Sequence, residues 1–385
     1  MFPFSELLME FYTSLLALVS QANINMQYRI NAHIISTWAL LLPHLGSATT
    51  CNLKASYPAP VASNGWASQL VVQGLTSPRG ILFDSSGNLL VVQKGAGIVH
   101  LEFDDGGSTC LEVSRKTYLI NSTNLNHGIA LSADGRTLYA SSSESVFSWA
   151  YDPTAVSVSD TNQTLITNMS NDDHTTRTLL LSQKQPGILV VSRGSNSNID
   201  LEAADITTGH SQIRAFDLNN ITSGSASYDF ATSGRLLGWG LRNSVGVAEE
   251  PLTGGVYSVE NSADEIERDG VDIHQNNPGE EMNFHGFLNA STQNQGGNYG
   301  YPYCFALWNT SIPNVGSLTV GSQFSLDQNN TINDTFCTTE HVAPRLTFQA
   351  HMAPLDIIFQ PNGTEAYVSF HGSCAPTCVP TAMAL

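Results

Sequence analysis

Residues 126–142, Asn-His-Gly-Ile-Ala-Leu-Ser-Ala-Asp-Gly-Arg-Thr-Leu-Tyr-Ala-Ser-Ser, hold two short apolar runs separated by a reversal. Ile129–Leu131 and Leu138–Ala140 are too short for helices and carry strand-forming side chains, and Asp134-Gly135-Arg136 turns the chain between them. A polar pair and a glycine, Asn126-His127-Gly128, stand just ahead of the first run. The same order recurs. Ser77-Pro78-Arg79-Gly80 leads into Ile81–Gln93, His174 to Arg177 into Thr178–Ser192, Arg242-Asn243 into Ser244–Val259, and Ala350-His351 into Ala353–Phe370. Gly296-Gly297-Asn298-Tyr299-Gly300 marks a divergent segment between the last two copies. Units about fifty residues apart, each with strand pairs and polar turns, predict an all-β protein built of radially repeated four-stranded sheets, a β-propeller.

The phase of the repeat carries functional information. In a propeller the innermost strands begin at one end of a central channel, so residues preceding successive first runs meet there. The convergent set is Arg79, His127, His174, Arg177, Arg242, Asn243 and His351. Cations and imidazoles gathered in a chain of formal charge −18 point to an anionic ligand at the channel mouth. A β-sandwich, the plainer all-β fold, gives no reason for a polar marker at one phase of every copy. Taken singly, each marker is also an ordinary turn residue.

Fifteen basic residues against thirty-three acidic ones disfavour nucleic acid and anionic membrane surfaces as partners. Only 12% of residues are charged, so short Ser, Thr, Asn and Gly turns carry the solubility. Within residues 1–48 neither Leu15–Val19 nor Ile34–Leu45 is long enough to span a bilayer comfortably. Met26-Gln27-Tyr28-Arg29 and the apolar stretch to Leu45 read as a secretory leader cleaved near Ala48, preceded by an extension. Six cysteines and many Asn-x-Ser/Thr sites agree with export, with Cys304–Cys337 and Cys51–Cys110 as the expected disulfides and Cys374–Cys378 as a local pair.

Six stretches together identify a resemblance: Ser77-Pro78-Arg79-Gly80, Asp173-His174 followed by Arg177-Thr178-Leu179, Gly194-Ser195-Asn196-Ser197-Asn198, Gly240-Leu241-Arg242-Asn243, Asn261-Ser262-Ala263-Asp264-Glu265, and Gly297-Asn298-Tyr299-Gly300-Tyr301-Pro302. In that order the chain, over residues 51–373, resembles fungal pyrroloquinoline quinone (PQQ)-dependent pyranose dehydrogenases and, more distantly, soluble quinoprotein glucose and sorbosone dehydrogenases. The resemblance implies a six-bladed propeller with PQQ and a calcium ion at its mouth. It implies His174 as the base that takes the sugar hydroxyl proton. It further implies PQQ contacts from Arg79, His127, Arg177, Arg242, Asn243, His351 and His371, and calcium ligation by the backbone carbonyls of Ser262 and Ala263. PQQ carries three carboxylates, which suits Arg79, Arg242 and His351 as charge-assisted donors. Calcium prefers hard oxygen ligands, which suits a loop of carbonyls. The adjoining Asp264, Glu265, Glu267, Asp269, Asp272, Glu280 and Glu281 offer carboxylates for another calcium, but read first as solvated loop charges.

Relatives of this kind continue past a His-Gly-Ser segment into a further blade, whereas here residues 374–385 diverge, so the sixth blade is expected to be incomplete. The electron acceptor is expected to be external, a cytochrome or another redox protein. Two other classes compete: a calcium-dependent propeller lactonase or esterase, which needs no arginine cluster, and a glycan-binding propeller using Tyr299, Tyr301, Tyr303 and Trp308 as stacking surfaces.

Overall fold

The computed structural model describes residues 51, 53–56, 61–105, 110–222 and 224–372, and the backbone of 383–384. The expected leader and the Cys374–Cys378 pair lie outside the described residues. Two compact units are distinguished. The smaller joins residues 51–77 to 101–116 and the larger holds 78–100 and the chain from 117 onward. In the smaller unit the Cys51–Cys110 disulfide closes as expected, Val71, Val72 and Leu75 are buried, and Lys116 Nζ donates to Gly74 O at 3.3 Å.

The larger unit is all-β and propeller-like. Strands β1 (Pro78–Phe83), β2 (Leu89–Gln93), β3 (Gly97–Asp105) and β4 (Leu111–Asn121) follow in order in a first sheet. The second sheet runs through β5 (Leu125–Leu131), β6 (Thr137–Ser142), β7 (Val146–Asp152) and β9 (Gln163–Thr167), with β8 (Ser157–Val158) beside β7. The third is β10 (Leu179–Leu181), β11 (Ile188–Arg193), β12 (Gln212–Asp217) and β14 (Arg235–Trp239), while β13 (Tyr228–Asp229) joins the second sheet beside β9. Strands β15 (Ser244–Glu249), β16 (Gly255–Glu260), β19 (Glu280–Phe287) and β22 (Leu346–Phe348) make the fourth. Two small hairpins lie in its insertions, β17 (Glu267–Arg268) with β18 (Val271–Asp272) and β20 (Cys304–Ala306) with β21 (Gln323–Ser325). The second hairpin is tied to the short helix α1 (Asp334–Glu340) by the expected Cys304–Cys337 disulfide. A last sheet has three strands, β23 (Pro354–Phe359), β24 (Ala366–Phe370) and β25 (Met383–Ala384).

Every copy of the sequence repeat maps onto the first two strands of a sheet. Successive sheets pack face to face through dry interfaces. Leu90, Val92 and Ile98 of the first meet Leu125, Leu138 and Trp149 of the second. Ile166 and Val146 of the second meet Leu189, Val191 and Phe216 of the third. Val190, Ile213 and Leu237 meet Val247 and Val256 of the fourth, and Val259 and Met282 meet Ile357, Val368 and Phe370 of the last. β2 and β11 are therefore covered on both sides, which explains their continuous apolar runs in place of alternation. The first strands approach closely: a Cβ on Gly128 would sit 2.2 Å from Arg177 O, so only glycine fits there. At the two ends of the series Ile81, Phe83 and Ile358 are exposed. Among the described residues four full sheets and a three-stranded fifth account for the unit, where the sequence reading expected six.

Candidate active site

The residues ahead of the first strands lie together at one end of the larger unit, and His174 is the most constrained of them. Its φ is +31°, a left-handed conformation uncommon for a side chain with a Cβ. Asp173 Oδ1 accepts the His174 backbone N–H at 2.8 Å. The ring lies against the next loop, where Nδ1 is 2.8 Å from Ser195 Oγ and 3.2 Å from Ser195 O. Burial, reinforced by the like charge of Arg242, pushes this imidazole down to about 4. It is neutral at physiological pH and able to accept a proton.

Arg242 sits just before β15 and is buried. It donates through Nε to Asn198 O at 3.0 Å, through one terminal nitrogen to Asn261 O at 3.2 Å and through the other to Asn198 Oδ1 at 2.8 Å. Three of the five N–H groups thus hold loops, and two remain for an anion. Asn198 Oδ1 also accepts the Asp264 N–H at 2.9 Å, so one amide sets both the arginine and the acidic loop. Glu280 braces that loop from below: its carboxylate accepts the Ser262 N–H at 2.7 Å and the Ala353 N–H at 3.1 Å. Burial pushes its carboxyl up to about 7 in spite of those donors. Ala263 is buried in an apolar cluster with Ile266 and Tyr301, leaving its backbone as the polar group it can offer.

His351 has φ +64° and points back at the same loop. Its Nε2 donates to His274 O at 2.6 Å and its Nδ1 lies 3.4 Å from Asp264 Oδ1. Asp264 raises the imidazole above its usual value, and His351 in turn holds the Asp264 carboxyl low. Both ring nitrogens are engaged. His351 is therefore turned onto the acidic loop, where the sequence reading expected a donor aimed at the cofactor.

Arg79 opens β1 with an exposed side chain. It is the like charge that adds to burial in lowering His127, to about 4, and Lys94. It also contributes to lowering His371, after burial. His127 Nδ1 is a buried polar atom without a hydrogen-bond partner, in a ring that feels the charge of Arg79. Asn243 is buried beside the first turn of the Gly194 loop, where a Cβ on Gly194 would lie 2.7 Å from its Oδ1.

Arg177 is a correction. It is fully buried and donates to Ser143 O at 3.0 Å, His174 O at 2.7 Å, Thr176 O at 2.6 Å and Met169 O. A guanidinium consumed by four carbonyls is not a cofactor contact; it shapes the turn that carries His174. The stacking surface also needs correcting: Tyr299 and Tyr301 are buried, with their hydroxyls on Phe284 O and the carbonyls of Ser197 and Asn198. Glu280 and Glu281 are buried, where the sequence reading had solvated loop charges. Asn198, Glu280 and Ser195 hydrogen-bond to the candidate residues and were not among those expected there, and Lys94 feels the charge of Arg79. Asn198 and Ser195 stand in a quoted stretch, while Lys94 and Glu280 close or open second and third strands and bear no mark of the repeat.

Comparison with known proteins places these features in a lineage. The chain is 53% identical over 330 residues to a pyrroloquinoline quinone-dependent sugar dehydrogenase of Hypocrea jecorina (strain QM6a), a match covering 85% of this chain and 76% of that protein. It is 37% identical over 316 residues to a pyrroloquinoline quinone-dependent pyranose dehydrogenase of Coprinopsis cinerea, covering 81% of this chain and 42% of that longer protein. Among solved structures, the calcium structure of the Trichoderma reesei carbohydrate-active enzyme of family AA12 superposes with a TM-score of 0.82 at 53% identity, over 84% of this chain and 80% of that one. The holo form of the Coprinopsis cinerea pyranose dehydrogenase PQQ domain gives 0.73 at 37% identity, over 79% and 73%. The family model described as TrAA12-like matches residues 60–379, and the chain belongs to that family.

Proposed function

We propose that this protein is a quinoprotein sugar dehydrogenase that oxidises a pyranose or aldose with PQQ and calcium at the mouth described above. The single observation that carries the proposal is a neutral, held imidazole, His174, beside the buried cation Arg242. The residues fit the cofactor. Arg79 and Arg242 match a multiply anionic ligand, and the orphaned His127 Nδ1 is a buried polar atom that a ligand can satisfy. The carbonyls of Ser262 and Ala263, on a loop braced by Glu280, match a hard cation. When bound, PQQ supplies the two-electron acceptor for the hydride and calcium polarises its carbonyl oxygens.

The protein's own residues then do four things. Arg79 and Arg242 hold and orient the anionic cofactor. Ser262 and Ala263 fix the ion. His174 takes the hydroxyl proton of the sugar as hydride leaves the adjacent carbon. Arg177, from beneath, holds the His174 carbonyl so that the imidazole keeps its direction.

Exposed Ile81 and Phe83 on β1 and Ile358 on β23 are apolar faces at the two ends of the sheet series, which favours a sixth sheet between them. Two disulfides and the acidic, sequon-rich composition favour an extracellular site of action. Electrons pass to an external acceptor such as a cytochrome. No helix among the described residues is long and apolar enough to cross a membrane.

The test is dye reduction by purified protein supplied with PQQ and calcium, scanned across pyranoses and aldoses. Sugar-dependent reduction that requires PQQ is the expected result. A protein that hydrolyses lactones or esters while staying silent with every sugar would overturn the proposal.

A further inference from the structure

The two nitrogens of an imidazole serve different ends, and a base is useful only if its lone pair sits on the right one. Around His174 the surroundings decide this. Ser195 Oγ lies 2.8 Å from Nδ1, and the Ser195 carbonyl 3.2 Å from the same nitrogen. The hydroxyl has one hydrogen, and two acceptors other than the imidazole stand within its reach, Ser197 O at 2.8 Å and the Tyr301 hydroxyl. With its hydrogen on either of them it accepts toward the imidazole, as the carbonyl must. Both require Nδ1 to carry the N–H, and the lone pair is left on Nε2.

We propose that Ser195 is a positioning residue that sets the tautomer and orientation of His174, holding Nδ1 as the donor so that Nε2 is the proton-accepting nitrogen. The proposal rests on His174 being the base of the proposed reaction. The platform is built without help from His174. Ser195 is fully buried, its N–H donates to Arg242 O at 2.8 Å, and its carbonyl accepts from Asn171 Nδ2 at 3.1 Å. The same amide donates to Gly194 O at 2.8 Å. Gly194 makes the approach possible, because a Cβ there would lie 2.8 Å from the His174 Cβ. The left-handed backbone of His174 is the counterpart, a conformation that persists only where the surroundings hold it. A neutral acceptor has a consequence that a carboxylate would not. It orders the ring while favouring the imidazolium less than a carboxylate would, so burial and the charge of Arg242 outweigh Ser195, Asp173 and Asp264 and keep the base unprotonated.

The test uses the full chain loaded with PQQ and calcium and labelled with ¹⁵N-histidine, the His174 signals being assigned by their loss in His174→Gln. Wild type is expected to show a single tautomer with Nδ1 protonated. Ser195→Ala keeps the carbonyl acceptor and loses the hydroxyl. It is expected to give mixed tautomers and a single-turnover PQQ reduction about tenfold slower, with PQQ affinity unchanged. Ser195→Cys keeps the size with a weaker acceptor and should fall between; it is read by the same criteria should the alanine variant fail to fold. An unchanged tautomer, or an unchanged rate, overturns the proposal. A wild type that fails to reduce PQQ with any sugar removes His174 as the base, whereas the tautomer spectra still decide what Ser195 does to the ring.

Discussion

A group that must take a proton has to be free of one, and the environment of His174 arranges that by burial and by the neighbouring Arg242. The sign follows directly: the neutral form is the active one, so activity is lost as pH falls, not as it rises. Sugar-driven reduction of PQQ should stay level from neutral into mildly acidic solution and fall as pH approaches about 4, measured by single-turnover absorbance in buffers of constant ionic strength. His174→Ala should leave PQQ binding nearly intact and slow reduction by about 10²–10⁴-fold, the usual span for removal of a general base. Arg177 and Arg242 separate in the same way. Arg242→Ala should weaken PQQ binding by about 1.5–3 kcal/mol in a titration, since it removes a charge-assisted contact. Arg177→Ala leaves four buried carbonyls without a donor and should instead lower the melting temperature, whether or not PQQ is present.

At the level of strands and turns, polar residues buried between sheets set both stability and its pH dependence. Asp84 closes the β1–β2 turn by accepting the Ser86 and Asn88 N–H groups, and its other oxygen reaches across to His100 Nε2 at 3.1 Å and Tyr151 OH at 3.0 Å. One carboxylate thereby ties the first sheet to the second. Tyr151→Phe should cost about 1–3 kcal/mol in denaturant unfolding, with the slope unchanged. In the fourth sheet Glu260 and Glu281 stand directly opposite each other on β16 and β19. Burial first holds both carboxyls above the ordinary value, aided at Glu260 by the charge of Glu281 and at Glu281 by that of Glu280. A carboxyl raised in the folded state gives its stability at low pH and loses it as pH climbs from its unfolded value of 4.5 toward the folded one. Glu281→Gln removes the titration while keeping an acceptor for Asn283 Nδ2. Its melting temperature should rise relative to wild type as pH increases from about 4.5, and a difference independent of pH would show that the pair does not titrate in the folded protein.

For the whole molecule, the site exists only because five first strands bring together residues from along the chain. Calcium ties the 261–264 loop to the anionic cofactor in the proposed function, so chelation should abolish PQQ binding and added calcium should restore it. Equal PQQ affinity in excess chelator would remove the ion from the site. The strand repeat, the two disulfides and the phase of Arg79, His127, His174, Arg242 and His351 were all legible in the sequence. Each depends on local pattern: apolar runs and turn residues at fixed intervals, or the spacing of a few cysteines. What the sequence could not disclose was direction. Arg177 and Arg242 occupy the same phase, yet one is turned inward onto the carbonyls of its own turn and the other toward Asn198 and the acidic loop. Glu280 and Glu281 are neighbours that face opposite sides of β19, one bracing the Ser262 loop and the other paired with Glu260. Tyr299 was a candidate stacking surface until its hydroxyl was found on Phe284 O. The sequence by itself determined which segments become strands and which residues stand ahead of the first strand of each sheet, because strand period and turn chemistry are local. Only the tertiary structure decided which of those residues face a ligand, because a side chain turns toward the partners that satisfy it, and those partners lie tens of residues away on neighbouring sheets.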